Sequence, residues 1–545
     1  MTINEIFRPA GPGAEPSGPP GADPVASTPG APGRTERRGA ARSGEADRFG
    51  SEQSEWIAPN DLVTRLLSAA TYMREGFADR VNNELLRPSR GALSPLWQVD
   101  AVQLGRHVNQ ALRLRRNRDI WLAASFGYAV LVGLAAIGFC FVGWLNIGQA
   151  LLVWIVLWIW AYCVAVSLVY KQARSARRAA IAVIYQPEAA TPPPLDRPAV
   201  EQSLADLNRS NVVLFRGESS PFVGSGVNID SWHLTLDLSK RAMPAHLRAE
   251  DSAAARAAQA IADGPITGAD LQEALLATMP QRISPRPAAG NRLYVRGGSN
   301  ALSVPLFQIG PTEKDPIEAI NFRRPVTRIP ESQVRQYLHS PTESARVYTY
   351  FQHSAWGGQV VVTLFVRAFV SNQTMFVEGL VYALRPLQRQ FYAVRGLPVD
   401  RRTQATSLMQ QALTDALPML VAAPGEVVSG MLANRIALSR MQATEAEIRR
   451  HRDIDFGARS SLREQVTNYN LGDSFAAGDE QMFYQIFNRR AMECIGLFLD
   501  SRHVNLAEFN GQAGGIIGST TGKAASIYGS AVDNGISATD GGDFE

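Results

Sequence analysis

Hydrophobic and polar positions along the chain fall into blocks with different periods. From Asn60-Asp61, a pair suited to an N-cap, Leu62, Leu66, Leu67, Ala70, Met73 and Phe77 recur at helical spacing. They predict a helix that ends near Leu85-Leu86, before Pro88. A second helical pattern starts near Trp97, passes through Val102, Leu104, Val108, Leu112 and Leu114, and runs into a continuous apolar block. The 51 residues from Ile120 to Tyr170 contain no Asp, Glu, Lys or Arg. That is more than twice the roughly 20 residues that cross hydrocarbon once. Inside the block the only turn-forming cluster is Gly143-Trp144-Leu145-Asn146-Ile147-Gly148-Gln149. The pattern therefore predicts a transmembrane helical hairpin over 119–171. A soluble hairpin would need protein packed around both helices on every side. Trp144 and Tyr170 stand where interfacial aromatic anchors belong.

Beyond the block, Ala173 to Tyr185 continues as helix until Pro187, and Thr191-Pro192-Pro193-Pro194 forms a stiff linker, so 172–199 reads as a juxtamembrane helix and linker. A mixed domain follows over 200–509. Strands are expected at Asn211–Phe215, Trp232–Leu238 and Arg292–Val295, and helices at Ser252–Ile261 and Gly268–Met279. The clearest pattern is an antiparallel meander: Val347–Phe351, a turn at Gly357-Gly358, Gln359–Val370, a turn at Ser371-Asn372-Gln373, and Thr374–Leu384. The unbroken apolar run Val360–Val366 implies a central strand covered on both faces, hence helices against the sheet. Helices are then expected at Thr403–Leu420, Gly430–Arg452 and Asp479–Ser501. The fold class is a membrane-anchored α+β protein: a hairpin plus a cytoplasmic domain with an antiparallel sheet covered by helices.

Composition changes this picture at the two ends. Residues 1–54 are rich in Pro, Gly, Ala and Ser, with almost no large apolar side chain between Phe7 and Phe49. Such a segment cannot bury enough surface to offset chain entropy and is expected to be disordered. Residues 55–118 form a cytoplasmic helical region, and 510–545, rich in Gly, Ser, Ala and Thr, is expected to be a flexible tail. Met1 to Gly13 lacks the apolar core of a secretory signal, so the first apolar segment directs insertion.

Charge sets the orientation. Arg106, Arg113, Arg115, Arg116 and Arg118 precede the first span, Lys171, Arg174, Arg177 and Arg178 follow the second, and the connecting turn has no basic residue. The positive-inside rule puts both flanks, and with them both termini, in the cytoplasm of a multi-pass plasma-membrane protein. Arg113, Arg115, Arg116, Arg118, Lys171, Arg174, Arg177 and Arg178 form a lipid-facing collar, each contributing on the order of 1 kcal/mol beside anionic lipid. The net charge of +4 is too small to imply nucleic acid. Three cysteines, two of them (Cys140 and Cys163) inside the apolar block, allow no disulfide framework and no metal spacing.

Most chemical motifs fail on context. His451-Arg452-Asp453 and Asp455-Phe456-Gly457 copy two kinase tripeptides but are nearly fused, leaving no room for the strands between catalytic and metal-binding loops. Gly518-Ser519-Thr520-Thr521-Gly522-Lys523-Ala524 imitates a phosphate loop, yet Ile517 replaces its first glycine and Ala524 its hydroxyl. In Phe222-Val223-Gly224-Ser225-Gly226, two close glycines allow tight backbone approach, so Gly224, Ser225 and Gly226 are the first candidate for a ligand loop, against a plain turn between strands. The seven histidines are dispersed. His353, near Trp356 and Gly357-Gly358, is a second ligand candidate, against an ordinary hydrogen-bonded histidine. No catalytic residue, metal site or cofactor is assigned. Met431–Arg452 is read as an amphipathic helix with one solvated face, against a partner-binding or coiled-coil helix.

The Pro/Ala/Gly-rich start, Leu66-Leu67-Ser68-Ala69-Ala70-Thr71-Tyr72, Gly76-Phe77-Ala78-Asp79-Arg80, the Arg-flanked hairpin and Leu364-Phe365-Val366-Arg367 together resemble two-span membrane proteins of high-GC actinobacteria. The resemblance implies a bacterial plasma membrane and no particular activity. Two uncharged spans offer no ion path. The expected function is a membrane-anchored scaffold presenting its cytoplasmic domain to a protein partner, with membrane lipid as its other contact and a homo-oligomer compatible with both. The alternatives are a membrane-proximal enzyme and a ligand-binding sensor.

Overall fold

The computed structural model describes residues 62–87, 89, 91–141, 146–218, 220–239, 264–298, 324–398, 400–450, 455–470 and 474–520. The 1–54 tail, the Asn60-Asp61 cap, most of the hairpin turn, the Ser252–Ile261 helix, the His451-Arg452-Asp453 tripeptide and Lys523 lie outside the described residues.

Five helices build the first part. α1 (Leu62–Met73) and α2 (Glu75–Val81) are followed by a π-helical turn, Asn82–Leu86. α3 (Ala101–Phe141) and α4 (Ile147–Tyr185) carry the apolar block, and α5 is Pro198–Asn208. The start of α3 and the end of α4 share one core with α1 and α5, built on Leu66, Leu104, Val108, Ala180, Val183 and Leu204. Phe391 and Val394, from a 3-10 helix at Arg389–Gly396, close the same core. The hairpin helices therefore run unbroken from apolar block to packed core. Their exposed side chains beyond that core are large and apolar, among them Trp121, Leu131, Leu134, Phe141, Ile147, Leu152 and Ile155.

Six strands form one sheet: β1 (Val212–Phe215), β2 (Val227–Asp237), β3 (Ala288–Arg296), β4 (Ala345–Ala355), β5 (Val360–Ser371) and β6 (Thr374–Leu384). Their order is β1-β3-β4-β5-β6-β2. The meander appears where alternation placed it, and Val360–Val366 is buried throughout. The sheet is mixed, which corrects the all-antiparallel expectation: β1 runs parallel to β3, with Val212 opposite Leu293. A four-residue strand offers too short an alternation to betray its direction.

The two faces are covered differently. One packs Trp232, Leu234, Phe351, Leu364 and Val377 under α6 (Gly268–Thr278) and two later helices. The other carries the aromatic cluster Tyr294, Tyr348, Tyr350, Phe365 and Tyr382. α7 (Glu331–His339) lies over the β1–β3 edge.

The C-terminal part corrects two expectations. Where two helices are expected, a single 50-residue helix, α8 (Arg401–Arg450), runs through Pro418 and Pro424. After α9 (Leu462–Gln465) and α10 (Ser474–Ser501), residues 506–520 form α11, which carries the domain past 509 into the segment expected as a loose tail from 510. Phe509 and Ala513 are buried against the sheet core, and Leu506 and Ile516 pack on it. One apolar residue every three or four positions suffices to dock a helix, even in a Gly-rich stretch.

Candidate functional site

The loop singled out between β1 and β2 is held from both sides. Phe222 enters the aromatic face, its ring centroid 5.0 Å from Tyr294, 5.0 Å from Tyr348, 4.6 Å from Phe365 and 5.0 Å from Tyr382. Gly224 and Gly226 follow at φ +93° and +91°, a region that disfavours any side chain. A Cβ at Gly226 would stand 2.2 Å from the Ala383 carbonyl oxygen. Both glycine N–H groups donate to Oε1 of Glu464, at 2.7 and 3.0 Å, while Oε2 accepts from the Ser461 amide at 3.3 Å. The loop amides are thus filled by a carboxylate of the chain itself. Burial pushes the Glu464 carboxyl up, and the amides at Gly226, Gly224 and Ser461 oppose that rise. Ser225 is buried, and its Oγ has no hydrogen-bond partner among the described residues.

Beside Glu464, the wholly buried Arg463 donates to Thr467 Oγ1 at 2.6 Å and to the carbonyls of Gln359 and Arg385 at 3.2 and 3.0 Å. Arg385 in turn grips Glu480 with a two-pronged fork at 3.2 and 3.0 Å. Glu480 opens a polar seam along α10. Glu480, Tyr484 and Asn488 recur every fourth residue, so they line one edge of the helix, and all are fully buried. The Tyr484 hydroxyl donates to Asp230 Oδ2 at 2.7 Å, at the β-bulge of β2. Asn488 Oδ1 accepts from Trp232 Nε1 at 3.0 Å, and its Nδ2 donates to Thr520 of α11 at 3.3 Å. Burial drives the Tyr484 hydroxyl well above the ordinary phenol range. A buried network closed in this way fixes one packing of α10 and α11 on the sheet.

His353 sits elsewhere. Its ring lies against Phe483 with centroids 3.7 Å apart, and burial lowers its pKa while Asp479 opposes the fall. His353 faces Val362, Val362 faces Ala383, and Ala383 faces Val227, the neighbour of Gly226. Three strand steps of about 4.8 Å separate the two candidate positions by roughly 14 Å. They do not converge on one site. Around His353, Trp356 Nε1 donates to Asp479 Oδ2 at 2.7 Å, and Trp356 and Met482 are exposed.

The basic collar divides. Arg115 and Arg118 are turned inward and buried, bound to Glu75, the Thr71 carbonyl and Asp119. Arg113 pairs with Asp196, and Arg177 reaches α8 at Ser407 Oγ (3.1 Å) and Gln411 Oε1 (3.2 Å). Arg116, Lys171, Arg174 and Arg178 are exposed. A cleft of about 1400 Å³ opens where α3 leaves the packed core. Arg87, Arg113, Arg116, Arg197 and Arg440 line it together with the apolar Ile120, Met419 and Ala423. Arg87, Arg116 and Arg197 have no hydrogen-bond or ion-pair partner for their guanidinium groups among the described residues. Next in sequence to the cleft residue Asn83, burial pushes the Glu84 carboxyl up to about 7, with Arg324 and Arg80 opposing.

Glu464, Arg463 and the Glu480–Tyr484–Asn488 seam escape sequence reading. The spacing Ser461-x-x-Glu464 does signal a helix cap, and the four-residue repeat of polar side chains inside an otherwise apolar α10 is visible. Nothing local shows that a capping carboxylate reaches a loop 240 positions away. No group of three or more His, Cys, Asp or Glu suited to a metal occurs among the described residues.

These features define an α+β protein with a mixed six-stranded sheet and three helices long and apolar enough to cross a membrane, the third lying within α8. Residues 231–534, more than half of the chain, match the AbeC-like domain model, and the chain belongs to that family. The match takes in most of the sheet, α8, α10 and α11, and leaves out the hairpin and the Gly224–Gly226 loop. No curated protein and no solved structure matches the chain.

Proposed function

We propose that this protein is a bacterial plasma-membrane scaffold, anchored by the α3–α4 hairpin with both flanks cytoplasmic, whose α+β domain binds a protein partner. The observation that carries this reading is continuity: α3 and α4 pass from their lipid-like exposed belt straight into the core shared with α1 and α5. A domain held that way keeps a fixed orientation above the membrane, which suits presentation of a surface. Two further facts point the same way. The ligand-loop amides are filled by Glu464 and the His353 ring is covered by Phe483, whereas Trp356 and Met482 stay exposed beside Asp479. Aromatic and Met side chains are the usual anchors of protein interfaces.

The test is purification of the full chain in mild detergent beside a Trp356→Asp/Met482→Asp variant of equal melting temperature. A protein that accompanies the native chain and is lost from the variant supports the scaffold. Equal company, or none, overturns it. Release of the chain by carbonate washing would remove the anchor as well. The arginine-lined cleft favours a second reading, a sensor for an anionic ligand; tight binding of an anion there, without any partner protein, would select it.

A further inference from the structure

By length and composition, residues 402–433 of α8 could cross a bilayer. The path of the chain says otherwise. Just before α8, Phe391 and Val394 are buried in the core of the α+β domain's helical base. Just after it, Asp455 accepts from the Gly217 amide at 2.7 Å, Phe456 donates to the Gly297 carbonyl at 2.9 Å, and Ala458 bridges Phe215. Both ends thus belong to one side. A straight helix of 50 residues would be about 75 Å long. The few residues from Arg450 to Asp455 reach at most about 18 Å and could not recross roughly 30 Å of hydrocarbon.

The contacts of α8 trace a descent and a return. Near its start, Ser407 and Gln411 meet Arg177 on the basic flank. The Leu413 carbonyl then accepts from Tyr162 at 3.0 Å. Ala416, Leu420 and Ala423 pack with Leu122, Ala129, Ala161 and Ala165. At 1.5 Å per residue those partners lie about 6 to 16 Å past Arg118 or Lys171, so the contact stops near half depth. The small alanines on both sides let the helix backbones come close. From Glu426 to Arg440 the helix lines the cleft with Arg113 and Arg116, back at the flank. Pro418 and Pro424, with Gly425, fall at the deepest part, where lost backbone bonds permit a bend. The uncharged run there, between Asp415 and Glu426, is ten residues, half of a crossing. Met409, Leu413, Leu417, Val421, Val428 and Leu432 face outward and are exposed.

We propose that α8 is a re-entrant helix. It enters the leaflet next to the α+β domain, bends at Pro418–Pro424 against the hairpin, and leaves on the same side. The partner of its outward stripe is the acyl chains of that one leaflet. The inference rests on the hairpin reading of α3 and α4.

The experiment uses full-length chains in which Cys140→Ser, Cys163→Ser and Cys494→Ala leave no native thiol. Single cysteines at Asn146, Thr406 and Ser439 are exposed to a membrane-impermeant maleimide in right-side-out and inverted vesicles. Thr406→Cys and Ser439→Cys should both label from the domain's side, and Asn146→Cys only from the other. Labelling of Ser439→Cys from the Asn146 side alone would mean a full crossing and would overturn the proposal while leaving the hairpin intact. Labelling of Asn146→Cys from the domain's side would bring down the hairpin, and the re-entrant helix with it. A nitroxide at Val421→Cys should relax faster with dissolved oxygen than with a water-soluble nickel reagent, and the order should reverse at Ser439→Cys. Faster relaxation with nickel at both positions would place α8 outside the bilayer, and faster relaxation with oxygen at both would keep its second half in lipid; either overturns the proposal.

Discussion

The Gly224–Gly226 loop and the cleft at the base of α3 both gather groups that hold anions, and they differ in what faces them. At the loop, two backbone amides converge on the Glu464 carboxylate, and neighbouring charges are paired or capped by carbonyls. In the cleft, Arg87 and Arg116 have no hydrogen-bond or ion-pair partner for their guanidinium groups among the described residues, beside apolar side chains and the carboxylates of Asp79, Asp196 and Glu426. The same chemistry thus serves cohesion in one place and remains available in the other. Substitutions in the closed region should cost stability, and those in the open region should cost little.

The largest effect expected is at the aromatic plug. Phe222→Ala removes a ring touching four others and should destabilise the domain by about 3–5 kcal/mol, read from thermal or chemical denaturation. A loss under about 1 kcal/mol would show that the loop, rather than its plug, closes that face. Next is Glu480→Gln, which leaves the Arg385 guanidinium facing a neutral group in a buried seam and should cost about 3 kcal/mol. Destabilisation should be smaller in the double variant that also replaces Arg385 with Gln, because the orphaned charge is gone.

A pH measurement sharpens the boundary between the two regions. Glu84, next in sequence to the cleft residue Asn83, has its carboxyl raised from 4.5 to about 7 by burial, so the folded chain holds a proton there that the unfolded chain releases. The fold gains relative stability below about 4.5 and loses it as pH rises through the window to about 7. Glu84→Gln should flatten that decline, by about 2 kcal/mol after allowance for partial contact with water. Parallel curves for the two chains would remove burial at Glu84 from the account. The smallest effect expected is from Arg87→Gln with Arg116→Gln, within about 0.5 kcal/mol of the native chain. A larger loss would mean that the cleft is structurally closed after all.

What could be read from residues alone follows physical range. The two long apolar helices are legible because an uncharged run shows in consecutive residues, and the β4–β6 meander because alternation and tight turns are local. The direction of β1 is not, since four residues carry no crossover information. The pattern of α8 reads as two helices, Thr403–Leu420 and Gly430–Arg452, with a break between them; packing of Leu420 and Ala423 with Ala161 and Ala165 carries one helix across that stretch, Pro424 included. α11 was hidden by composition, its docking resting on Phe509, Ala513 and Thr520 spread over a Gly-rich segment. At the site, the glycine pair was visible and its carboxylate was not, for that pairing joins positions far apart in sequence.

In the anchorage we propose, the unbroken run of α3 and α4 from apolar belt to core makes them two stiff shafts with no swivel between bilayer and domain. Each added residue turns a helix by about 100° and lengthens it by about 1.5 Å. A single insertion in either shaft above the collar would therefore wind the two shafts against each other, and the torque would fall on the sheet's helical base. Length in that stretch is fixed by torsional phase as much as by reach.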